Sequence, residues 1–384
     1  MKILRLTLLT WPLLLAACSS DSADVAAGDS SSAAIRFHSS LQGMTRSTYK
    51  SDLSNLTAFK VAAVSQVDPP SVYFTPMEVT HESDGSWKSS ITYYWPPQPL
   101  NFYAYAPTDL PVTITGAAQQ LAGYTTASKA ADQQDIITAW GYGVRAQAPE
   151  TNGPVALNFR HALCQVEIRA SNPSDTRIAV LGVKLCRIPS TGTMSIQQNA
   201  DDAPTWVTDK NSEQDYVIKG NRSVAASDKR ALVIMQNSAT VHSLMFGQDG
   251  WLMIPQTLSP WTAGPKADGA YISVLCQIND GSGRQLYPSE EGKFGYTSVP
   301  INTTWLPGRR YIYTLNFFAD GGSAGLIDPN PTSPDDPNHE DEDIDITPGG
   351  DRQGGDIVVN SPITFTVEIT DWQSNGVDNT SIGF

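Results

Sequence analysis

The stretch Leu100-Asn-Phe-Tyr-Ala-Tyr-Ala106 is apolar on both of its faces. A strand that is exposed on one side alternates between apolar and polar residues, whereas a strand covered on both sides reads as a continuous apolar run. The stretch therefore predicts the central strand of a layered β-structure. Alternating aromatic and apolar residues precede it from Trp87 to Trp95, and Pro96 and Pro97 separate the two runs.

Similar short runs recur on both sides of this strand, and helical periodicity over twelve or more residues is missing. With 26 Pro and 29 Gly to supply turns, the chain is predicted to be all-β and built of β-sandwiches. Asp280-Gly281 and Gly283 have the composition of a hairpin turn. Residues 113–134 are predicted to form loops and one short helix. The further predicted strands are Ile35–Ser39, Leu56–Val64, Asp135–Trp140, Val155–Ala170, Ile178–Ile188, Ala231–Met235, Trp251–Ile254, Tyr271–Ile278, Arg310–Phe318 and Ile363–Ile369.

The length of 384 residues suggests about two domains. We place an N-terminal domain at 35–154 and a C-terminal domain at 155–384, with the long run from Val155 entering the second. Residues 320–356 are predicted to be a disordered acidic linker, because they are rich in Gly, Pro and acids. An EF-hand loop beginning at Asp341 would put Ile346 where glycine is needed and Arg352 where glutamate is needed, so no metal site is expected there.

The N-terminus has the pattern of an export signal. Lys2 and Arg5 precede an apolar run, Leu6–Leu15, which is too short to span a bilayer. The following Leu15-Ala16-Ala17-Cys18 resembles a bacterial lipobox. This resemblance implies that a signal peptide of residues 1–17 is removed and that Cys18 is acylated, for example with palmitate. The alternative is an ordinary secretory signal that leaves Cys18 free. Residues 18–34 would form a flexible tether.

The charge of the chain argues against a nucleic-acid partner. The formal net charge is −14, and it becomes −16 without residues 1–17, whose charged side chains are two basic ones. Nucleic acids and anionic membranes are bound by clustered Lys and Arg. Attachment to the outer membrane would therefore depend on the lipid at Cys18.

Three further cysteines, Cys164, Cys186 and Cys276, lie inside predicted strands. Their odd number argues against a complete disulfide framework. Buried free thiols are favoured, and a Cys164–Cys186 bridge between neighbouring strands is the alternative.

No catalytic motif, cofactor site or metal site is evident, and we predict a protein that is not an enzyme. His161 and Cys164 could suggest a base and a nucleophile, but residues three apart on a strand face opposite sides. The aromatic residues of Tyr93–Trp95 and Phe102–Tyr105 could form a platform for sugars. Core packing is the favoured interpretation because of their strand spacing.

Several moderately specific motifs occur along the chain: Tyr94-Trp95-Pro96, Leu100–Pro107, Leu157–Val166, Ile254-Pro255-Gln256, Trp305-Leu306-Pro307-Gly308 with Tyr311 and Tyr313, and Phe365–Trp372. In their order the chain resembles the fimbrillin family of Bacteroidetes over nearly all of its mature length. The resemblance implies two tandem transthyretin-like β-sandwich domains, export as a lipoprotein, and assembly at the cell surface into fimbriae that mediate adhesion to host or bacterial surfaces.

The resemblance also implies how subunits join. A cut after a basic residue near the N-terminus removes the lipid and the first strand, and a strand of another fimbrial subunit fills the groove that is left. The matching cut lies between Arg46 and Ser47, with Arg36 and Lys50 as alternatives. The candidate donor strand contains Ile363, Phe365, Val367 and Ile369, a pattern that equally fits the last ordinary strand, which we favour. Shaft, tip and anchor roles stay open. The alternative function is that of a surface-anchored glycan-binding lipoprotein.

Overall fold

The structure, a computed structural model, describes residues 33–41, 56–146, 153–196, 203–220, 232–319, 324–330, 352–359 and 363–372. The described residues do not include the predicted signal peptide 1–17, Cys18, Arg46, Ser47, or residues 320–323 and 331–351 of the predicted acidic linker. Within them the chain is all-β, and its helical structure is a single 3-10 turn at Ala130–Asp132. No described helix is long and apolar enough to span a bilayer.

The described strands are short and separated by turns, as the Pro and Gly content predicts. In chain order they are β1 (Phe37–Leu41), β2 (Ala58–Ser65), β3 (Ser71–His81), β4 (Trp87–Ser89), β5 (Leu100–Ala106), β6 (Val112–Ile114), β7 (Gln119–Thr125), β8 (Ile137–Val144), β9 (Val155–His161), β10 (Cys164–Asn172), β11 (Arg177–Pro189), β12 (Thr191–Ser195), β13 (Thr205–Thr208), β14 (Glu213–Lys219), β15 (Val233–Met235), β16 (Ser238–Ser243), β17 (Trp251–Met253), β18 (Tyr271–Asn279), β19 (Gln285–Tyr287), β20 (Gly295–Pro300), β21 (Arg309–Asn316), β22 (Leu326–Ile327) and β23 (Thr364–Asp371).

These strands form four sheets. The first sheet has the order β1-β9-β8-β5-β2-β3-β4. The second has the order β16-β10-β21-β23, with β17 also paired to β10. The third has the order β14-β11-β18-β20-β22, with β15 on β11 and β19 on β18. The fourth, β13-β12-β7-β6, joins strands from the two halves of the chain.

The strand β5 lies in the middle of the first sheet, as predicted, and all seven of its residues are buried. Phe102 and Ala104 point into one hydrophobic core, the first core, which β1 and Trp95 also line. Tyr103 and Tyr105 point into a second core, where the first sheet meets the fourth sheet, Leu252 of β17 and Ile254 after it. The run is therefore apolar on both faces because each face serves a different core.

The largest core lies between the second and third sheets. Buried side chains of β10, β17, β21 and β23 there face buried side chains of β11, β18 and β20. The hairpin predicted at Asp280–Gly283 is confirmed: β18 and β19 pair across it, and Gly283 has a φ of 91°. A positive φ of this size suits glycine, which has no Cβ to clash.

Two sequence expectations differ from the structure. The run Val155–Ala170 is not one strand of a second domain but two strands in different sheets, because the chain breaks at Ala162 and Leu163. At this break the Ala162 carbonyl accepts a hydrogen bond from Trp206 Nε1 at 2.7 Å, so a side chain and not a neighbouring strand is its partner. In the stretch 113–134, β7 replaces the expected loops, because it pairs with β12 from the other half of the chain.

The predicted linker also contains packed segments. Leu326 and Ile327 form β22 on the edge of the third sheet, and Asp328 after them is 1% exposed. Val358, just beyond the predicted linker, is buried in the largest core. The expectation of disorder is therefore wrong for residues 324–330, while residues 331–351 lie outside the described part of the chain.

Candidate assembly site

The first strand, β1, forms one edge of the first sheet. It runs parallel to β9, with Phe37 opposite Val155 and Leu41 opposite Phe159. The backbone N–H of Val155 also donates to the Arg36 carbonyl at 2.7 Å. The predicted strand Ile35–Ser39 is thus present, two residues further along the chain.

Side chains of this segment are part of the first core. Ile35 is 3% exposed and Phe37 is 4% exposed. The Phe37 ring meets the ring of Phe102 from β5 edge to face, with centroids 5.7 Å apart. Their polar neighbours Arg36 and His38 point outward and are exposed. This alternation is the pattern of a strand that closes one side of a hydrophobic core.

The residues just before β1 are also held on their other side. The backbone N–H of Ile35 donates to the Tyr93 carbonyl at 2.8 Å, and that of Trp95 donates to the Ala33 carbonyl at 3.1 Å. The extended segment 33–41 therefore lies between the Tyr93–Trp95 segment and β9. If it left, these backbone groups would lose their partners and Phe102 and Trp95 would lose apolar cover.

Without segment 33–41, this region would be a sheet edge beside apolar pockets. A groove with unpaired backbone on its walls and apolar pockets at alternate positions binds an extended peptide through main-chain hydrogen bonds and side-chain burial. In the structure that peptide is the N-terminal segment of the same chain. The Arg46 and Ser47 pair follows β1 in the sequence but lies outside the described residues.

The candidate donor strand forms β23 in its own second sheet. It pairs antiparallel with β21 over eight residues, from Arg309 opposite Asp371 to Asn316 opposite Thr364. Ile363 and Val367 are buried in the largest core. Phe365 and Ile369 pack against that core and are partly buried. Here the strand has the position of an ordinary last strand on a sheet edge.

The end of β23 is held by the first sheet. Trp372 stacks on His161, the last residue of β9, with centroids 3.9 Å apart. His161 Nδ1 is hydrogen-bonded to Asp135 Oδ2 at 2.6 Å, and both side chains are buried. The sequence analysis argued against a catalytic pair of His161 and Cys164 but did not pair His161 with Asp135 or Trp372. The one sequence signal for Trp372 was its position at the end of the motif Phe365–Trp372.

The structure separates His161 from Cys164. The Cys164 thiol donates to the Met253 carbonyl at 3.4 Å in the largest core, and burial raises the pKa of this thiol well above its ordinary value. A thiol kept protonated in this way is a poor nucleophile. Cys164, Cys186 and Cys276 are all free and buried, which confirms the favoured prediction over a disulfide.

The aromatic motifs serve mainly as core. Phe102, Tyr103, Tyr105 and Trp95 are each at most 6% exposed, so packing is confirmed for them and they form no open platform for sugars. Tyr94 is exposed. Among the described residues no group of His, Cys, Asp or Glu is arranged to hold a metal ion.

A comparison with models of known protein families identifies the family of this chain. A sequence model described as fimbrillin-like matches residues 45–329. The chain belongs to the fimbrillin-like family. This fimbrillin-like chain has no match among the curated proteins.

Solved structures with similarity to this chain are also known. A crystal structure of a fimbrial protein from Bacteroides vulgatus has a TM-score of 0.52 and 14% identity, over 88% of this chain and 99% of the other. At this identity the similarity concerns the fold alone. The fimbrial anchor protein Mfa2 from Porphyromonas gingivalis also matches, with a TM-score of 0.28 and 11% identity over 68% of this chain and 82% of that protein.

Proposed function

We propose that this chain is a structural subunit of a fimbria that polymerises by strand exchange after proteolytic removal of its lipidated N-terminus. The observation that carries the proposal is the position of segment 33–41. It is an edge strand that buries Ile35 and Phe37 in the first core and continues towards a basic residue, Arg46, in the sequence.

The N-terminal segment has two roles in this proposal. Cys18 is acylated, and the lipid holds the precursor at the outer membrane during export. Meanwhile β1 fills the groove beside β9, which prevents early pairing of an open sheet edge with other chains. A cut between Arg46 and Ser47 would release both the anchor and the strand. The family match begins at residue 45, which is compatible with a shared body that starts at this point.

Another subunit then supplies the replacement strand. It would restore main-chain hydrogen bonds along Val155–Phe159 and place apolar side chains in the pockets of Ile35 and Phe37. The segment Ile363–Ile369 is a candidate donor, although its own sheet would have to release it. Assembled fibres at the cell surface would serve in adhesion to host or bacterial surfaces.

Size-exclusion chromatography of cut and uncut protein tests the proposal. The full chain carrying Cys18→Ser, which has no lipid, is treated with an arginine-specific protease, and the cut site is read by mass spectrometry. Uncut protein should be monomeric, and protein cut after Arg46 should form a ladder of multimers. Arg46→Ala should remain uncut and monomeric, whereas the control Lys50→Ala should behave as the parent. A cut protein that stays monomeric would contradict the proposal.

A further inference from the structure

The outer face of the third sheet, which is turned away from the largest core, contains a buried lysine and aspartate in contact. Lys184 lies in β11 within an otherwise apolar run, and Asp328 follows β22. Lys184 Nζ is 3.3 Å from Asp328 Oδ2, and the two side chains are 1% and 0% exposed. Bulk water therefore reaches neither group.

The sheet fixes both partners. Lys184 is opposite Ser273 in β18, and Ser273 is opposite Ser298 in β20, so the three side chains form one row. The amine of Lys184 lies 3.8 Å from the centre of the Tyr296 ring. The aromatic face limits where the amine can move, which leaves it directed at the carboxyl group.

The carboxyl group of Asp328 is held by donors on both oxygens. Oδ1 accepts from the Tyr271 hydroxyl at 3.1 Å and from the Asn330 backbone N–H at 2.8 Å. Oδ2 accepts from the Ser273 hydroxyl at 2.5 Å. Donors on both oxygens polarise the carboxyl carbon towards a nucleophile and stabilise negative charge that develops on oxygen.

Burial makes two separate charges costly at this position. Ammonium and carboxylate ions each lose several kcal/mol of hydration on burial, which favours a step that removes both charges. A neutral lysine amine is a good nucleophile, and desolvation is a common way to produce one.

A third titratable group lies near the pair. Asp215 in β14 accepts a hydrogen bond from the Arg187 backbone N–H at 2.9 Å. Burial raises the pKa of Asp215, and its charge acts on both Lys184 and Asp328. Cys186 is the neighbouring thiol, and burial keeps it protonated.

We propose that Lys184 and Asp328 condense to form an intramolecular amide bond. The lone pair of the neutral amine attacks Cγ of the protonated Asp328 carboxyl, and a C–N bond forms. The nitrogen then loses a proton, the Asp328 hydroxyl gains it and the C–O bond breaks, so water leaves. Overall, an ammonium and a carboxylate become an amide and one water, with no oxidation or reduction.

The bond would join β11 to the segment after β22, on the edge of the third sheet. Residues beyond Asp328 lead towards β23, so the cross-link would keep the third sheet closed if tension were applied through the last strand. This consequence does not depend on the mode of polymerisation, and the cross-link can form in the monomer.

Peptide mass mapping tests the proposal on the full chain. Trypsin cannot cut after an acylated lysine, so the cross-linked protein should yield Ile178–Arg187 joined to Tyr311–Arg352, lighter by one water than the two peptides together. Fragmentation should place the bond at Lys184 and Asp328. Free peptides Ile178–Lys184 and Tyr311–Arg352 as the main products of folded protein would overturn the proposal.

Two variants test the assignment of the bond. Lys184→Arg keeps the positive charge but cannot form this amide, so its Tyr311–Arg352 peptide should be entirely free. Asp328→Ala removes the carboxyl group, so its Ile178–Lys184 peptide should be entirely free, in protein whose circular dichroism matches the parent. A linked product of unchanged amount in either variant would overturn the assignment of the bond.

Discussion

The indole of Trp372 stacks on the imidazole of His161, with ring centroids 3.9 Å apart and planes inclined by 14°. His161 ends β9, and the first five residues of β9 pair with β1. One strand of the first sheet therefore contacts both the N-terminal strand and the residue after the C-terminal strand. The two segments considered for strand exchange are thus both held by β9.

Trp372→Ala should loosen β23. The substitution removes a partly buried ring and its stack, so we expect a loss of about 1–3 kcal/mol in the free energy of unfolding, less than for a fully buried aromatic. Hydrogen exchange should show faster exchange of β23 amides, and denaturant unfolding should give the energy. Trp372→Phe, which can keep a stack, should lose less. Unchanged exchange in β23 would contradict the role of this contact.

Phe37→Ala should destabilise only the uncut chain. Phe37 is buried against Phe102, and the cavity left by its removal should lower the free energy of unfolding by about 3 kcal/mol. After a cut at Arg46 and removal of the fragment, mutant and parent are the same protein and should unfold alike. His38→Ala, at an exposed position of the same strand, is the matched control and should stay within about 0.5 kcal/mol. Equal stability of uncut Phe37→Ala and parent would contradict the closure of the core by β1.

Val367→Asp should distinguish an ordinary strand from a dedicated donor. Val367 is 2% exposed in the largest core, so a carboxylate there should cost about 3 kcal/mol or more in the monomer. Thr366→Asp, on the exposed side of the same strand, should cost little. A Val367→Asp monomer of parental stability that fails to assemble would instead favour a donor role for this segment.

The three thiols should be unreactive in the folded protein. Burial raises the pKa of Cys164, Cys186 and Cys276, so these thiols stay protonated at pH 8. In a Cys18→Ser variant, a thiol reagent should label none of them in buffer and all three in denaturant. Because the unfolded thiols ionise near their ordinary pKa of about 8.5 and the folded ones do not, their contribution to stability is complete below that pH and is lost as the pH rises. Rapid labelling of the native protein would contradict this burial.

The sequence predicted features that depend on local periodicity. The apolar run at Leu100–Ala106 identified the central strand, and the alternation around Ile35 and Phe37 identified the edge strand. It did not predict the break at Ala162, where the backbone carbonyl accepts a hydrogen bond from Trp206, a residue distant in the sequence.

The same limit applies to the buried ion pair and to β7. Residues 324–330 look like a linker because they are buried by contacts distant in the sequence, with the largest core on one side and Lys184 and the outer face of the third sheet on the other, which no local pattern reveals. The lysine inside the apolar run Ile178–Cys186 was the available signal, since an isolated charge in such a run requires a buried partner. The strand β7 is paired by β12, and its own composition is that of a loop.

The most direct test of the proposed assembly is the N-terminus of the subunit in purified fimbriae, read by sequencing and intact mass. The account predicts that the polymerised chain begins at Ser47 and that β1 and the lipid are absent. A polymerised chain that still begins at an acylated Cys18 would contradict it.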